Sequence, residues 1–392
     1  MKREKSRVRI SLLHQLTAAL LCMIFASAAA LAHPPSVYVN LFQARQSLDA
    51  VFLRAPFAIV NPIHRVFHEG CFEIVAEGRS MRISQITPRR SLIIRAPHVV
   101  IATRTSAAIE IGPDLSHMRK YYGQITVNLR PPQPKKAGGL NVVNLIDSFN
   151  YVSSVVGGET TPQFAKEALK AQAVLVYTRL SPKGRHPVLS DTTDEMVYLG
   201  AQHERPEVID AVNEVDRRRL MFHGYPAQAF FHACCAGRTS RGVDIFGENA
   251  RALTYLQSIA CNFCKRSPLY RSTTKQIPAS IFNREIADSQ PLVLQSDEAK
   301  RIIRAELRKK GAKKVVSGYQ LWLEIGQKLG WDKAPGTRYE IKQSGTNYTL
   351  KSSGGGHGVG LCQWGAQGMA AEGKTYAEIL QYYFPGTTLE KR

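Results

Sequence analysis

Three groups of residues in this chain have side chains of the right type and spacing for chemistry. The first lies in Ser352-Ser353-Gly354-Gly355-Gly356-His357-Gly358-Val359-Gly360-Leu361-Cys362-Gln363-Trp364-Gly365-Ala366, where five of the seven residues from Gly354 to Gly360 are glycine. Glycine at that density costs ordering entropy and lets backbone approach backbone or ligand closely. Flexible linkers seldom carry His, Gln and Trp so close together. The stretch reads as a groove wall with one imidazole (His357), one amide (Gln363) and one indole (Trp364), suited to holding a sugar chain. The second group is Glu159, placed after Gly157-Gly158 and before a helix start at Thr161-Pro162. A helix N-terminus would favour its ionised form by roughly 0.3–1 kcal/mol, whereas desolvation in a closed pocket would raise its pKa. Both outcomes are open at this level. The third is His232, Cys235, Cys261 and Cys264, whose His-x-x-Cys and Cys-x-x-Cys spacings suit tetrahedral structural zinc. Disulfide pairing is the competing arrangement in an oxidising compartment. Cys71 and Cys362 are expected to stand alone unless the fold makes them neighbours. No thiol has an obvious activating partner, so a catalytic cysteine is not expected.

These groups must be positioned by an α+β fold. From His33 to about residue 130 the chain reads as short strands (Val37–Leu41, Phe72–Val75, Ser91–Ile94, Val99–Ile101 and Tyr121–Leu129) separated by Pro, Gly and Asn. Pro131 to Lys136 reads as a loop or hinge. A mixed α/β region follows over 131–392. It opens with the strand Leu140–Leu145 and a turn at Gly157-Gly158. A helix then runs from Pro162 to Leu180, with Phe164, Ala165, Ala168, Leu169, Gln172, Ala173 and Val176 on one face. Further on come a helix near Pro206 to Val215 and a strand from Gln228 ending in a small-residue turn. Charged helices between Asp297 and Trp331 precede strands at Tyr339–Ile341 and Tyr348–Leu350, and a helix is expected over Ala366–Glu372. There is no internal repeat.

The compartment is read from the first residues. Lys2, Arg3, Lys5, Arg7 and Arg9 precede an apolar run from Leu16 to Leu31, and Ala30-Leu31-Ala32 is an A-x-A cleavage site. Residues 1–32 are therefore expected to be a signal peptide, exporting the chain to the periplasm or cell envelope. The full chain has 392 residues and a formal net charge of +21. Removing the five basic residues and Glu4 of the signal leaves 21 − 4 = +17. That surplus suits an anionic neighbourhood such as cell-wall polymer or lipid headgroups. The basic residues are dispersed and no nucleic-acid motif accompanies them, so nucleic acid is not an expected partner.

Taken together, Glu159, Glu167-Ala168-Leu169-Lys170-Ala171-Gln172-Ala173-Val174, Gly356–Ala366 and the tail Gly373–Thr387 resemble the stage II sporulation protein D (SpoIID-like) family, from roughly Tyr121 to Leu389. The resemblance implies a peptidoglycan lytic transglycosylase. Such an enzyme cleaves MurNAc–GlcNAc linkages of denuded glycan strands, already stripped of stem peptides by an amidase, and leaves 1,6-anhydro ends. It implies that Glu159 is the catalytic acid and base and that no cofactor is required for catalysis. By extension, His357, Gln363, Trp364 and Gln172 become candidate substrate-binding residues. A second expectation is a non-catalytic wall-binding protein that recruits or stimulates an amidase, as some relatives are thought to do. Two departures stand out. Family members read Pro-x-Glu-Met-Pro where this chain has Gly157-Gly158-Glu159-Thr160-Thr161-Pro162, and Arg and Tyr are exchanged in Tyr177-Thr178-Arg179. A further zinc site of some relatives is not expected, since His186 remains but Ser190, Asp194 and Glu195 stand near the other ligand positions.

Overall fold

A computed structural model describes residues 36–45, 47–88, 93–103, 107–131, 138–181, 188–192 and 195–391. The expected signal peptide, the hinge residues Pro132 to Lys136, His186 and Asp194 lie outside the described residues. No helix among those described is long and apolar enough to cross a membrane.

Alternation dominates the front of the chain. Ser36–Leu41 buries Val37, Val39 and Leu41 while the residues between them stay part-exposed, the period-2 signature of a half-buried strand. A seven-stranded sheet runs Val188–Ser190, Ser36–Leu41, Gly139–Asp147, Gln124–Arg130, His98–Ala102, Phe57–Asn61, Arg65–Phe67. A six-stranded antiparallel sheet runs Arg119–Tyr121, Ile109–Gly112, Ala50–Arg54, Cys71–Glu77, Ser80–Thr87, Ile93–Ala96. Gly139–Asp147 pairs with both Ser36–Leu41 and Gln124–Arg130, so hydrogen bonding is continuous across the 130/131 boundary expected from the sequence.

The chain leaves that sheet directly into a helix, Ser148–Glu159, which Asp147 caps by accepting from the Asn150 amide at 3.0 Å. This corrects the reading of Gly157-Gly158 as a turn: both lie in the helix's last turn. The reason is close approach, because a Cβ on Gly157 would sit 2.4 Å from the His203 carbonyl oxygen and one on Gly158 3.2 Å from that of Val197. The next helix is Lys166–Leu180, starting four residues later than Pro162. It is buried on almost every side rather than one, from Ala168 through Thr178 with only Lys170 part-exposed. Its small side chains let the glutamate helix, Pro206–Glu214 and Gln363–Ala371 pack around it.

Residues from Thr273 to Leu350 contribute a second, separate core built on Ile277, Phe282, Leu307, Leu321, Ile325, Tyr348 and Leu350. The expected pair of charged helices there is instead a hairpin and one helix. Ile302–Lys309 pairs antiparallel with Ala312–Ser317 through Lys310-Gly311, both at positive φ, and the helix is Gly318–Leu329. Burial of Ile302, Ala305 and Leu307 with Arg304 and Arg308 exposed fits the strand.

Candidate active site

Glu159 is the last residue of its helix, at the C-terminal end and not before an N-terminus. The sign of the dipole effect is thereby reversed: the negative helix end disfavours a carboxylate. Burial raises its pKa first and foremost. The Val197 amide, Gln363 and Arg179 pull the other way without cancelling the rise. Its Oε1 accepts from the Val197 amide at 2.8 Å, and the Gln363 side chain also acts on the carboxyl. Arg205 closes the helix end, donating to the Gly157 carbonyl at 3.4 Å and to Thr160 Oγ1 at 3.2 Å.

Gln363 reaches this point from the far end of the sequence. Its Nε2 donates to the Glu159 carbonyl at 3.2 Å and lies 3.5 Å from Gln172 Oε1. The helix that begins with Gln363 is latched to the alanine-rich helix through Gln367, whose Oε1 accepts from the Ala165 amide and whose Nε2 donates to the Gln163 carbonyl. Three expected site residues, Glu159, Gln172 and Gln363, therefore meet. Replacing Gln363 by Ala removes one hydrogen bond and one influence that lowers the Glu159 pKa. The expected result is a loss of about 1–2 kcal/mol, a factor of roughly 5–30 in kcat/KM. A shift of the pH–rate limb to higher pH separates this from simple misfolding.

The glycine-rich run is held on both sides by backbone hydrogen bonds: Gly355 with Cys234, Gly356 with Pro335, Gly358 with Ser240 and Leu361 with Phe230. Gly354, Gly356, Gly358 and Gly360 all have φ between 72° and 83°, a path closed to most other residues. His357 packs its ring against Phe230, Phe246 and His232 at 5.4–5.8 Å between centroids. Its Nδ1 accepts the Val359 amide at 3.1 Å, so the neutral ring carries its proton on Nε2. Burial, with smaller effects from the Arg179 and Arg301 charges, pushes its pKa down to about 4. His357 is thus uncharged at neutral pH. Because its folded pKa lies below the unfolded 6.5, the unfolded chain binds more protons between about 6.5 and about 4. Stability should therefore fall as pH drops through that window, and His357→Gln should flatten the fall in a pH series of denaturant melts.

Arg179 joins Glu159 and His357. It donates to the Glu195 carbonyl at 3.0 Å, stacks near Phe230 and Phe231, and its charge acts on both Glu159 and His357. Sequence reasoning noted Arg179 only as a departure and did not place Val197 in the site at all. A backbone donor carries no side-chain signature. Trp364 stands elsewhere: its ring packs edge-on against Phe164 at 5.4 Å and lines a cleft of about 380 Å³ with Asn262, Phe263, Lys265, Arg266 and Gln367.

The cysteine set also differs from expectation. The sulfurs that converge are Cys235, Cys261, Cys264 and Cys362. His232 is not among them: it is buried with Nδ1 at 3.1 Å from the Val359 carbonyl. Cys362 is drawn in because Leu361–Cys362 pairs in parallel with Phe231–His232, three residues before Cys235. Of the strand expected from Gln228, Phe231–His232 forms, followed by isolated bridges at Cys234, Arg238 and Ser240.

Glu159, a part-buried carboxyl whose pKa burial raises, and His357 of the glycine-rich run are linked through the Arg179 charge that acts on both. The chain matches the sequence family described as Stage II sporulation protein (SpoIID) over residues 136–222. It is similar to Stage II sporulation protein D of Bacillus subtilis (strain 168), 31% identical over 265 residues that cover 62% of this chain and 74% of that protein. It is also similar to Stage II sporulation protein D of Bacillus amyloliquefaciens, at 27% over 62% of this chain and 73% of that one. The Amidase enhancer of Bacillus subtilis is 25% identical over 61% of this chain and 40% of its own length. The chain belongs to the SpoIID family.

Proposed function

We propose that this protein is a lytic transglycosylase acting on peptide-free peptidoglycan strands, exported to the periplasm or cell envelope. The observation that carries the reading is Glu159, a carboxyl whose pKa burial raises and whose Oε1 is fixed by the Val197 amide at 2.8 Å. In the first step the Glu159 acid protonates the glycosidic oxygen of a MurNAc–GlcNAc linkage, and the bond from that oxygen to C1 of MurNAc breaks. In the second, the carboxylate takes the proton of the MurNAc C6 hydroxyl as its oxygen bonds to C1, giving the 1,6-anhydro end and restoring the acid. No water is consumed, so one carboxyl serves where most glycosidases need two. Neutral His357 and the amides of Gln172 and Gln363 would position sugar hydroxyls without adding charge. The reaction uses no metal or organic cofactor.

A second reading is favoured by the similarity to the Amidase enhancer: a protein that binds glycan and stimulates an amidase without cleaving. The two separate on glycan strands stripped by an amidase that is then removed. Cleavage by the wild type alone, with a rate that falls as pH rises through the Glu159 pKa because only the protonated acid starts the reaction, supports the enzyme. Binding without cleavage, together with faster amidase turnover when both are mixed, supports the second reading.

A further inference from the structure

We propose that Cys235, Cys261, Cys264 and Cys362 form a tetrathiolate zinc site that fixes Gln363 against Glu159. All four sulfurs lie within 4.8 Å of one another, all four side chains are buried, and Cys235 and Cys264 approach to 3.6 Å. A tetrahedral zinc with bonds of about 2.3 Å places its sulfurs about 3.8 Å apart. A disulfide needs about 2.05 Å, and none of the described cysteines is in one.

A second, independent observation concerns the donors around the sulfurs. Cys362 Sγ faces the amides of Cys235 at 3.2 Å and Gly365 at 3.3 Å, and Cys261 Sγ lies 3.1 Å from the Tyr383 hydroxyl. N–H groups aimed at a metal-bound sulfur hold its orientation and offset its charge. The pocket is shaped around this arrangement. A Cβ on Gly365 would lie 2.8 Å from Cys261 Sγ and 2.0 Å from the Tyr383 hydroxyl oxygen. Cys234 is a fifth buried thiol beside Cys264 and Cys362, outside the four-sulfur set.

The site joins three segments distant in sequence, and Cys362 caps the helix whose first residue is Gln363. The metal is closed off by four protein ligands, so its role is structural and independent of whether Glu159 cleaves glycan. The test uses the full mature chain purified without reductant or chelator. About one zinc per chain is expected by elemental analysis, with the four thiols blocked to alkylation until a chelator is added. Cobalt(II) in its place should give the visible bands of tetrahedral sulfur coordination. Cys362→Ser and Cys264→Ser should lose the metal, while Cys234→Ser and Cys71→Ser keep it. If the Cys362 and Cys264 variants fail to fold, the wild-type metal content and cobalt spectrum still decide the question. Zinc-free protein whose cysteines resist alkylation in denaturant until reduced would overturn the proposal in favour of disulfides. So would retention of zinc by a folded Cys362→Ser variant, or its loss from a folded Cys234→Ser.

Discussion

Glu159→Gln is expected to reduce glycan cleavage on the order of 10³-fold, since in the proposed reaction one group supplies both proton transfers. The fold should survive, because a Gln oxygen can still accept from the Val197 amide that now meets Oε1 at 2.8 Å. Stability should hold or improve at neutral pH, and the sign follows from the raised pKa. A carboxyl whose folded pKa exceeds its unfolded value contributes stability that is fully present below the unfolded pKa and lost as pH rises through the folded one. At pH 7 wild-type Glu159 is therefore a cost that Gln does not carry. Thermal melts of the two proteins at pH 5 and pH 8 check this, with the mutant gaining relative to wild type at the higher pH. His357→Ala should weaken turnover much less, since the neutral ring holds geometry and has no proton to exchange near neutrality.

Gly358→Ala is expected to be strongly destabilising. Gly358 has φ +81°, and an added Cβ would lie 2.4 Å from Arg301 Nε and 2.5 Å from its Cζ. The guanidinium cannot retreat. Arg301 is 1% exposed and donates to the carbonyls of Cys235 (2.8 Å) and Arg238 (2.9 Å), and to Thr337 Oγ1 and Ser240 Oγ. Left-handed backbone costs an alanine about 1–2 kcal/mol and overpacking about 1–3 kcal/mol more, so a loss of about 2–5 kcal/mol is expected in denaturant melts. That is a large share of the roughly 5–15 kcal/mol that holds a typical domain together. A similar change at Gly345, where φ is +59° and nothing lies within 4 Å, should cost only the backbone part.

How far the sequence foretold this depends on whether the deciding contact was local. The front strands were legible because alternation is a local property, as in Val37, Val39 and Leu41. Glu159, Gln172, Gln363 and the glycine run were legible through their motifs. The glutamate helix was not: Tyr151 to Val156 is rich in valine, is followed by two glycines, and has the local preferences of a strand and turn. Burial of Tyr151, Val152, Val155 and Val156 decides for helix, and the glycines serve the passing carbonyls of His203 and Val197. Ile302–Lys309 failed for a related reason, since Ile302, Ile303 and Leu307 satisfy a helical period as well as a strand. Cys362 was hidden most completely. Nearly a hundred residues part it from Cys264, and it comes beside Cys235 through a two-residue parallel pairing and the non-local backbone bonds that hold the glycine run.

In the proposed reaction Glu159 drives cleavage in which a sugar hydroxyl, not water, attacks C1. Digestion of peptide-free glycan strands in H₂¹⁸O, with product ends read by mass spectrometry, tests it most directly. The expected result is 1,6-anhydro-MurNAc ends without ¹⁸O from the wild type and none from Glu159→Gln. Reducing ends carrying ¹⁸O would show hydrolysis instead and contradict it, as would anhydro ends produced equally by the Gln variant.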